Sequence, residues 1–245
     1  MDGIPWGKAA DATLRTLVGQ GPDQNPTGLL IILSGCAARG REPMTRLVAA
    51  SVEFWFEFAS TYSYPAASRI EAAARAAKVP VRYKPFLLGP IFASQGWKDS
   101  PFNIYPVKGR YMWRDLERIC SRLDLPFKKP TVFPRNGLTA ARITTATEEA
   151  ARPRLAARIY RANFAEDRDI GSREVLASIL AELGLDVEGT FARAESQAVK
   201  DALRAETERA IALGIFGSPS LVVGSELFWG NDRIEDALDW AQRSG

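Results

Sequence analysis

Apolar and polar positions divide the chain from residue 51 onward into clear elements. Residues 52–58 read VEFWFEF, an apolar run with enough aromatics to be buried on both faces, which predicts a strand. Tyr62 to Lys78 predicts an Ala-rich helix, with Pro65 early enough to be tolerated in the first turn. Val79-Pro80 breaks it, and Val81–Phe86 predicts a second strand. This β-α-β opening makes the first two strands parallel neighbours. Residues 87–108, LLGPIFASQGWKDSPFNIYPVK, read as a loop rich in Gly, Pro and aromatics, and loops this long within a compact domain are usually functional.

From Gly109 to about Gly214 the pattern is helical almost throughout, with a connector containing Pro126, Pro130 and Pro134. Stop signals at Gly184 and Gly214 fall where the periodicity ends. Ser218-Pro219 then leads into two short strands, Leu221–Val223 and Leu227–Trp229, around Gly224. A final amphipathic helix, RIEDALDWAQR, takes Asn231 or Asp232 as its cap. The predicted architecture is α/β. One domain is made of residues 51–108 and 215–245, and a helical insertion spans 109–214.

Residues 1–50 differ, being punctuated by Gly, Pro, Asn and Gln. Their apolar run, Leu29 to Leu33, is too short to span a bilayer, which needs about 20 residues. It ends in Leu33-Ser34-Gly35-Cys36, similar to a lipoprotein cleavage box, but it lacks the apolar length and basic cluster of a signal peptide. The expectation is a disordered extension, or an upstream start chosen in place of Met44, with a cytoplasmic protein folding from near Ser51.

Composition narrows the chemistry. The chain has 245 residues with 46% hydrophobic content, enough for a full core without covalent staples. Lys+Arg of 32 against Asp+Glu of 29 gives +3, too small and too dispersed for a nucleic-acid or membrane partner. Histidine is absent, which removes imidazole bases, His-paired nucleophiles and His-containing metal sites. The two cysteines, Cys36 and Cys120, form neither a disulfide framework nor a zinc site. Cys120 lies on the apolar face of its predicted helix and reads as core.

At the turn between the first strand and first helix stand Ser60 and Ser63, in S-x-x-S. Thiol-disulfide oxidoreductases carry C-x-x-C at such a turn, so this chain has hydroxyls where they have sulfurs. Ser60 or Thr61 also suits a plain helix cap. A helix N-terminus stabilises a thiolate as well, and the two roles are compatible. Pro219 reads equally as an ordinary turn residue, and Asp232 as a cap.

Three motifs in order, S-x-x-S, then G-x-F-G-x-P (Gly214 to Pro219) and F-W-G-x-D-R (Phe228 to Arg233), with a helical block between the first two, resemble the 2-hydroxychromene-2-carboxylate isomerase family. That family is related to the kappa-class glutathione transferases and, more distantly, to the oxidase DsbA. The resemblance covers about residues 51–243 and implies a thioredoxin-like domain with a large all-helical insertion. It implies glutathione as cofactor, with Ser60 beside its sulfur and the Ser218 backbone paired with its cysteine. Pro219 would be cis, and Trp229, Gly230, Asn231 and Asp232 would hold the γ-glutamyl end. Ser60 would act as a hydrogen-bond donor to the sulfur, since no residue stands out as a base for a serine nucleophile.

The aromatic loop would cover a small-molecule substrate, with Trp97, Phe102 and Tyr105 stacking on a ring and Asn103, Lys108 and Arg110 meeting a carboxylate. A hydrophobic cluster that holds the loop down is the equal alternative. Thr61 stands where many relatives have proline, and the segment QGWKDSPFN is longer than usual. The expected activity is glutathione-dependent isomerisation, in a possible homodimer. A kappa-like transferase and a thioredoxin-like binding module without turnover are the rivals.

Overall fold

A computed structural model describes residues 50–244. The predicted extension, with its Leu29–Leu33 run and Cys36, lies outside the described residues apart from Ala50, whose amide donates to the Ala241 carbonyl (3.1 Å). Strand β1 (Val52–Phe56) lies beside β2 (Val81–Pro85) in parallel, with Val52 opposite Val81. On its other side β1 pairs antiparallel with β3 (Ser220–Val223), and β3 with β4 (Glu226–Trp229), giving the order β2-β1-β3-β4. Helix α1 (Ser63–Ala77) connects β1 to β2.

Helices fill the chain between β2 and β3. They are α2 (Leu88–Ser94), α3 (Pro101–Ile104), α4 (Pro106–Arg122), α5 (Leu138–Ala146), α6 (Arg152–Phe164), α7 (Arg173–Glu182), α8 (Val187–Glu195) and α9 (Gln197–Ala212). The final helix, α10, spans Ile234–Arg243. The fold is thioredoxin-like with a large helical insertion.

Alternation along β1 explains the layers. Phe54 and Phe56 join Phe58, Tyr83 and Tyr160 in the larger core, while Trp55 points the other way, to Phe86, Ile91, Ala210 and Val222. The strand is therefore buried on both faces, as its aromatic content predicts.

Two expectations are corrected. Residues 87–108 are not a continuous loop: they hold α2, α3 and the start of α4. Pro101 and Pro106 sit at first-turn positions, where a missing N–H costs nothing, and the Ser100 hydroxyl accepts from the Phe102 amide (3.3 Å). Neither Asn231 nor Asp232 caps α10 through its side chain. Both lie in a 3-10 turn, Asn231–Arg233, and the Asn231 side-chain oxygen is taken by Arg69.

Gly109 on α4 marks a close approach, since a Cβ there would meet the Phe102 carbonyl oxygen at 2.3 Å. Helix propensity alone favours Ala over Gly by roughly 1 kcal/mol, but overpacking against backbone costs about 1–3 kcal/mol or more. Gly109→Ala is expected to lower the melting temperature by several degrees and to loosen the α3–α4 junction. An unchanged or raised melting temperature in calorimetry would show that this contact relaxes freely.

Candidate active site

The C-terminal end of β1, the start of α1 and the loop before β3 meet in a closed ring of hydroxyls. Ser60 Oγ donates to the Ser218 carbonyl (2.7 Å), and Ser63 Oγ donates to Ser60 Oγ (3.0 Å). With its single proton given to Ser60, Ser63 accepts from the Ser218 hydroxyl at 2.7 Å. Ser218 Oγ in turn accepts from the Glu57 amide (3.0 Å). The Ser218–Pro219 peptide is cis, as the resemblance implies, and so is Phe133–Pro134.

The capping role open to Ser60 or Thr61 is not taken up. Helix α1 begins after Tyr62 with no side-chain cap, and Thr61 Oγ1 donates to Met112 Sδ (3.1 Å) on α4. The first turn of α1 thus has no side-chain acceptor of its own, the condition under which a helix start receives an external anion.

The other predicted glutathione-site residues follow in sequence and are tied to the same loop. The Gly230 amide donates to the Pro219 carbonyl (3.0 Å), with Gly230 at φ +119°. Trp229 is 53% exposed, packs on Phe216 with ring centroids 4.9 Å apart, and lies close against Gly217. Asn231 is buried and braced by Arg69, whose Nε donates to its side-chain oxygen (3.1 Å) and Nη2 to its carbonyl (2.7 Å). Arg69 also pairs with Glu235. Asp232 is exposed, 3.5 Å from Arg233.

Most of the predicted substrate residues make their contacts within their own segment, with Asn103 also reaching the Phe133 carbonyl (3.5 Å). Trp97 packs on Phe92 (5.5 Å between centroids), Asn103 donates to Asp99 (3.1 Å), and Lys108 sits over the Tyr105 ring (5.0 Å). Arg110 is exposed on α4. The neighbours of the turn are Met112, Asp115, which accepts from the Tyr62 hydroxyl (3.0 Å), and, of the predicted stacking residues, Phe102, 6.3 Å from the Tyr62 ring. Burial, and then the Asp115 charge, hold the Tyr62 phenol above its usual range.

Glu57 is the residue sequence reasoning missed. Its amide and carbonyl hold Ser218 and Ser60 (the Ser60 amide donates to its carbonyl, 3.0 Å), and its carboxylate accepts from the Ala59 amide (2.9 Å). Desolvation pushes this carboxyl up to about 7, despite the opposing pull of the Ala59 and Ser60 amides. The Tyr160 hydroxyl donates to its carbonyl (2.8 Å), and Gly137 packs against its side chain. No cation pairs with it among the described residues. The available signal was an acid at the end of an aromatic strand, FWFEF, where a carboxylate has little reason to be unless its ionisation is used. Cys120 is buried, as expected, and burial pushes its thiol up to about 11.

A turn of this kind opposite a cis-proline loop, on this sheet order, defines a class. Residues 51–240 match the family described as DSBA-like thioredoxin domain, and the chain belongs to that family. It is 25% identical over 186 residues to the 2-hydroxychromene-2-carboxylate isomerase of Sphingobium xenophagum, covering 76% of this chain and 94% of the relative. Identity to glutathione S-transferase kappa 2 of Caenorhabditis elegans is also 25%, over 209 residues, covering 77% and 90%. The solved structure of a 2-hydroxychromene-2-carboxylate isomerase shares the fold with a TM-score of 0.71 at 24% identity, covering 79% of this chain and 95% of that one. Among the described residues no helix is long and apolar enough to cross a membrane.

Proposed function

We propose that the protein is a glutathione-dependent isomerase of the 2-hydroxychromene-2-carboxylate isomerase type, acting in the cytoplasm on an unsaturated, carboxylated small molecule. The observation that carries this reading is the Ser60 hydroxyl, set at an uncapped helix start and directed at the Ser218 carbonyl next to a cis-proline. The residues fit the cofactor: a helix N-terminus and hydroxyl donors suit a thiolate. The Trp229 to Asp232 segment offers an exposed ring, an amide and a carboxylate to a polar peptide end.

Bound there, glutathione would supply a thiolate that adds reversibly to the substrate and departs after rotation about the transiently single bond. Ser60 turns its proton from the Ser218 carbonyl to the sulfur. Ser63 holds Ser60 in place and is itself held by the Ser218 hydroxyl, and Glu57 accepts the proton that the thiol gives up. Its raised pKa suits that task, because a carboxyl near 7 both takes and returns a proton at neutral pH.

A kappa-like transferase is the second reading, favoured by the similarity to the Caenorhabditis elegans protein. Incubation with glutathione and 2-hydroxychromene-2-carboxylate separates the two. Isomerised product with free thiol unchanged is expected, and one thiol consumed per adduct released would identify a transferase. Absence of glutathione binding at millimolar concentration in calorimetry would remove both and leave a binding module.

A further inference from the structure

Away from the serine turn, α5 and α9 face α2 across a cleft of about 370 Å³. Its volume lies near the lower end of small-molecule clefts, roughly 300–1,000 Å³. Leu87, Leu138 and Leu203 supply an apolar lining, and Arg142, Lys200 and Arg204 bring three cations to it against the single carboxylate of Glu208. None of Ser60, Ser63, Ser218 or Asn231 lines it.

The charges are poorly matched from within the protein. Lys200 and Arg204 are four residues apart on α9, so they share a face and repel. Arg204 pairs only loosely with Asp201 (3.5 Å), and neither Arg142 nor Lys200 forms an ion pair among the described residues. Arg142 Nε is buried without a hydrogen-bond partner. An arginine cannot discharge itself by losing a proton, and a buried donor left unmatched is rare enough to need an explanation. A carboxylate, planar and able to accept from a guanidinium and an ammonium together, supplies the missing partner. The apolar lining matches the rest of an organic anion better than it matches a hydrated inorganic one.

We propose that this cleft is a binding site for an organic monocarboxylate with an apolar body, held by Arg142 and Lys200 and separate from the serine turn. It is independent of the glutathione reading. The site takes a ring or a short chain, since Gln197 in its lining is bonded to Asp201 and Thr207 to the Leu203 carbonyl and the Leu87 amide, which leaves neither to discriminate between them.

Calorimetric titration of 1-naphthoate and of octanoate into the full chain tests this. Saturable one-to-one binding of at least one probe is expected, and which one binds tells an aromatic from an aliphatic ligand. Arg142→Met and Lys200→Gln should each weaken it by roughly tenfold or more, as loss of a charge-assisted bond does. The uncharged 1-naphthylmethanol should bind more weakly than 1-naphthoate by a similar factor, and Ser60→Ala should leave the affinity for 1-naphthoate as it is in the parent. Binding of neither probe, equal affinity in both charge variants, equal affinity for the alcohol, or loss of binding in Ser60→Ala would each overturn the proposal. If Arg142→Met fails to fold, Lys200→Gln decides, because Lys200 is only half-buried.

Discussion

Ser60→Ala is expected to raise the thiol pKa of bound glutathione by about one unit, and to lower turnover at pH 7 about tenfold while leaving glutathione binding largely intact. A hydrogen bond to a charged group contributes about 1.5–3 kcal/mol, or roughly one to two units at 1.36 kcal/mol each. The gain is not free of cost, because Ser60 must leave the Ser218 carbonyl, to which it donates at 2.7 Å. A neutral bond of that kind is worth about 1 kcal/mol, which puts the expected shift at the lower end of the range. The helix start adds roughly 0.3–1 kcal/mol that the substitution does not remove. Some thiolate stabilisation therefore remains in the variant. Thiolate absorbance followed against pH in the parent and in Ser60→Ala measures the shift. Identical titration curves with binding retained would assign activation to the helix end alone and remove Ser60 from the chemistry.

Glu57→Gln should flatten the pH dependence of stability. The folded-state pKa of Glu57, about 7, lies above the ordinary 4.5, because desolvation favours its neutral form. The fold therefore prefers Glu57 protonated. Its contribution is fully present below about pH 4.5 and is lost as pH rises through about 7, where ionising the carboxyl costs on the order of 3 kcal/mol. In denaturant melts the parent should lose up to that amount between pH 5 and 8 relative to the variant, whose amide does not titrate. Other ionisable groups are common to both proteins and cancel in the comparison. Parallel pH profiles would mean that Glu57 is better solvated than its setting indicates.

The same substitution separates two proton inventories in catalysis. In the proposed reaction Glu57 takes the proton of the thiol, so the apparent pKa values of the kcat/KM profile belong to the pair rather than to either group. After that transfer the carboxyl is neutral and the sulfur charged, which avoids two like charges in one site. With glutamine the thiol's proton must go to solvent, and the limb of the kcat/KM profile near pH 7 should move to the pKa of the thiol alone. An unmoved limb would take Glu57 out of the proton transfer and leave it with the stability effect.

Much of the fold was legible along the chain because it rests on local rules. The 3.6-residue periodicity of the helices, the aromatic alternation of β1, and the glycines at 184 and 214 all act within a few residues of themselves. The short helices of residues 88–104 were not legible. Their Gly, Pro and aromatic content reads as loop, and only the first-turn placement of Pro101 and Pro106 with the Ser100 cap makes helices of them.

Within the candidate site, S-x-x-S and the segments around Pro219 and Trp229 were visible as motifs of residue type and spacing. Which atom each hydroxyl holds was not. Ser60 was as good a helix cap as a site residue until Ser218, 158 positions away, presented its carbonyl. An acid ending an aromatic strand marks Glu57 in the sequence, but only the packing of Gly137 against its carboxyl sets the desolvation that shifts it. Arg142 likewise reads as one basic residue on a helix until α9 brings Lys200 and Arg204 beside it. The sequence by itself determined the elements, their order and the loss of thiols at the turn, since backbone hydrogen bonding and side-chain periodicity are local. Tertiary structure alone decided which hydroxyls join, which carboxyl is desolvated and which cations meet, because dielectric surroundings and distances between remote segments exist only once the chain has closed on itself.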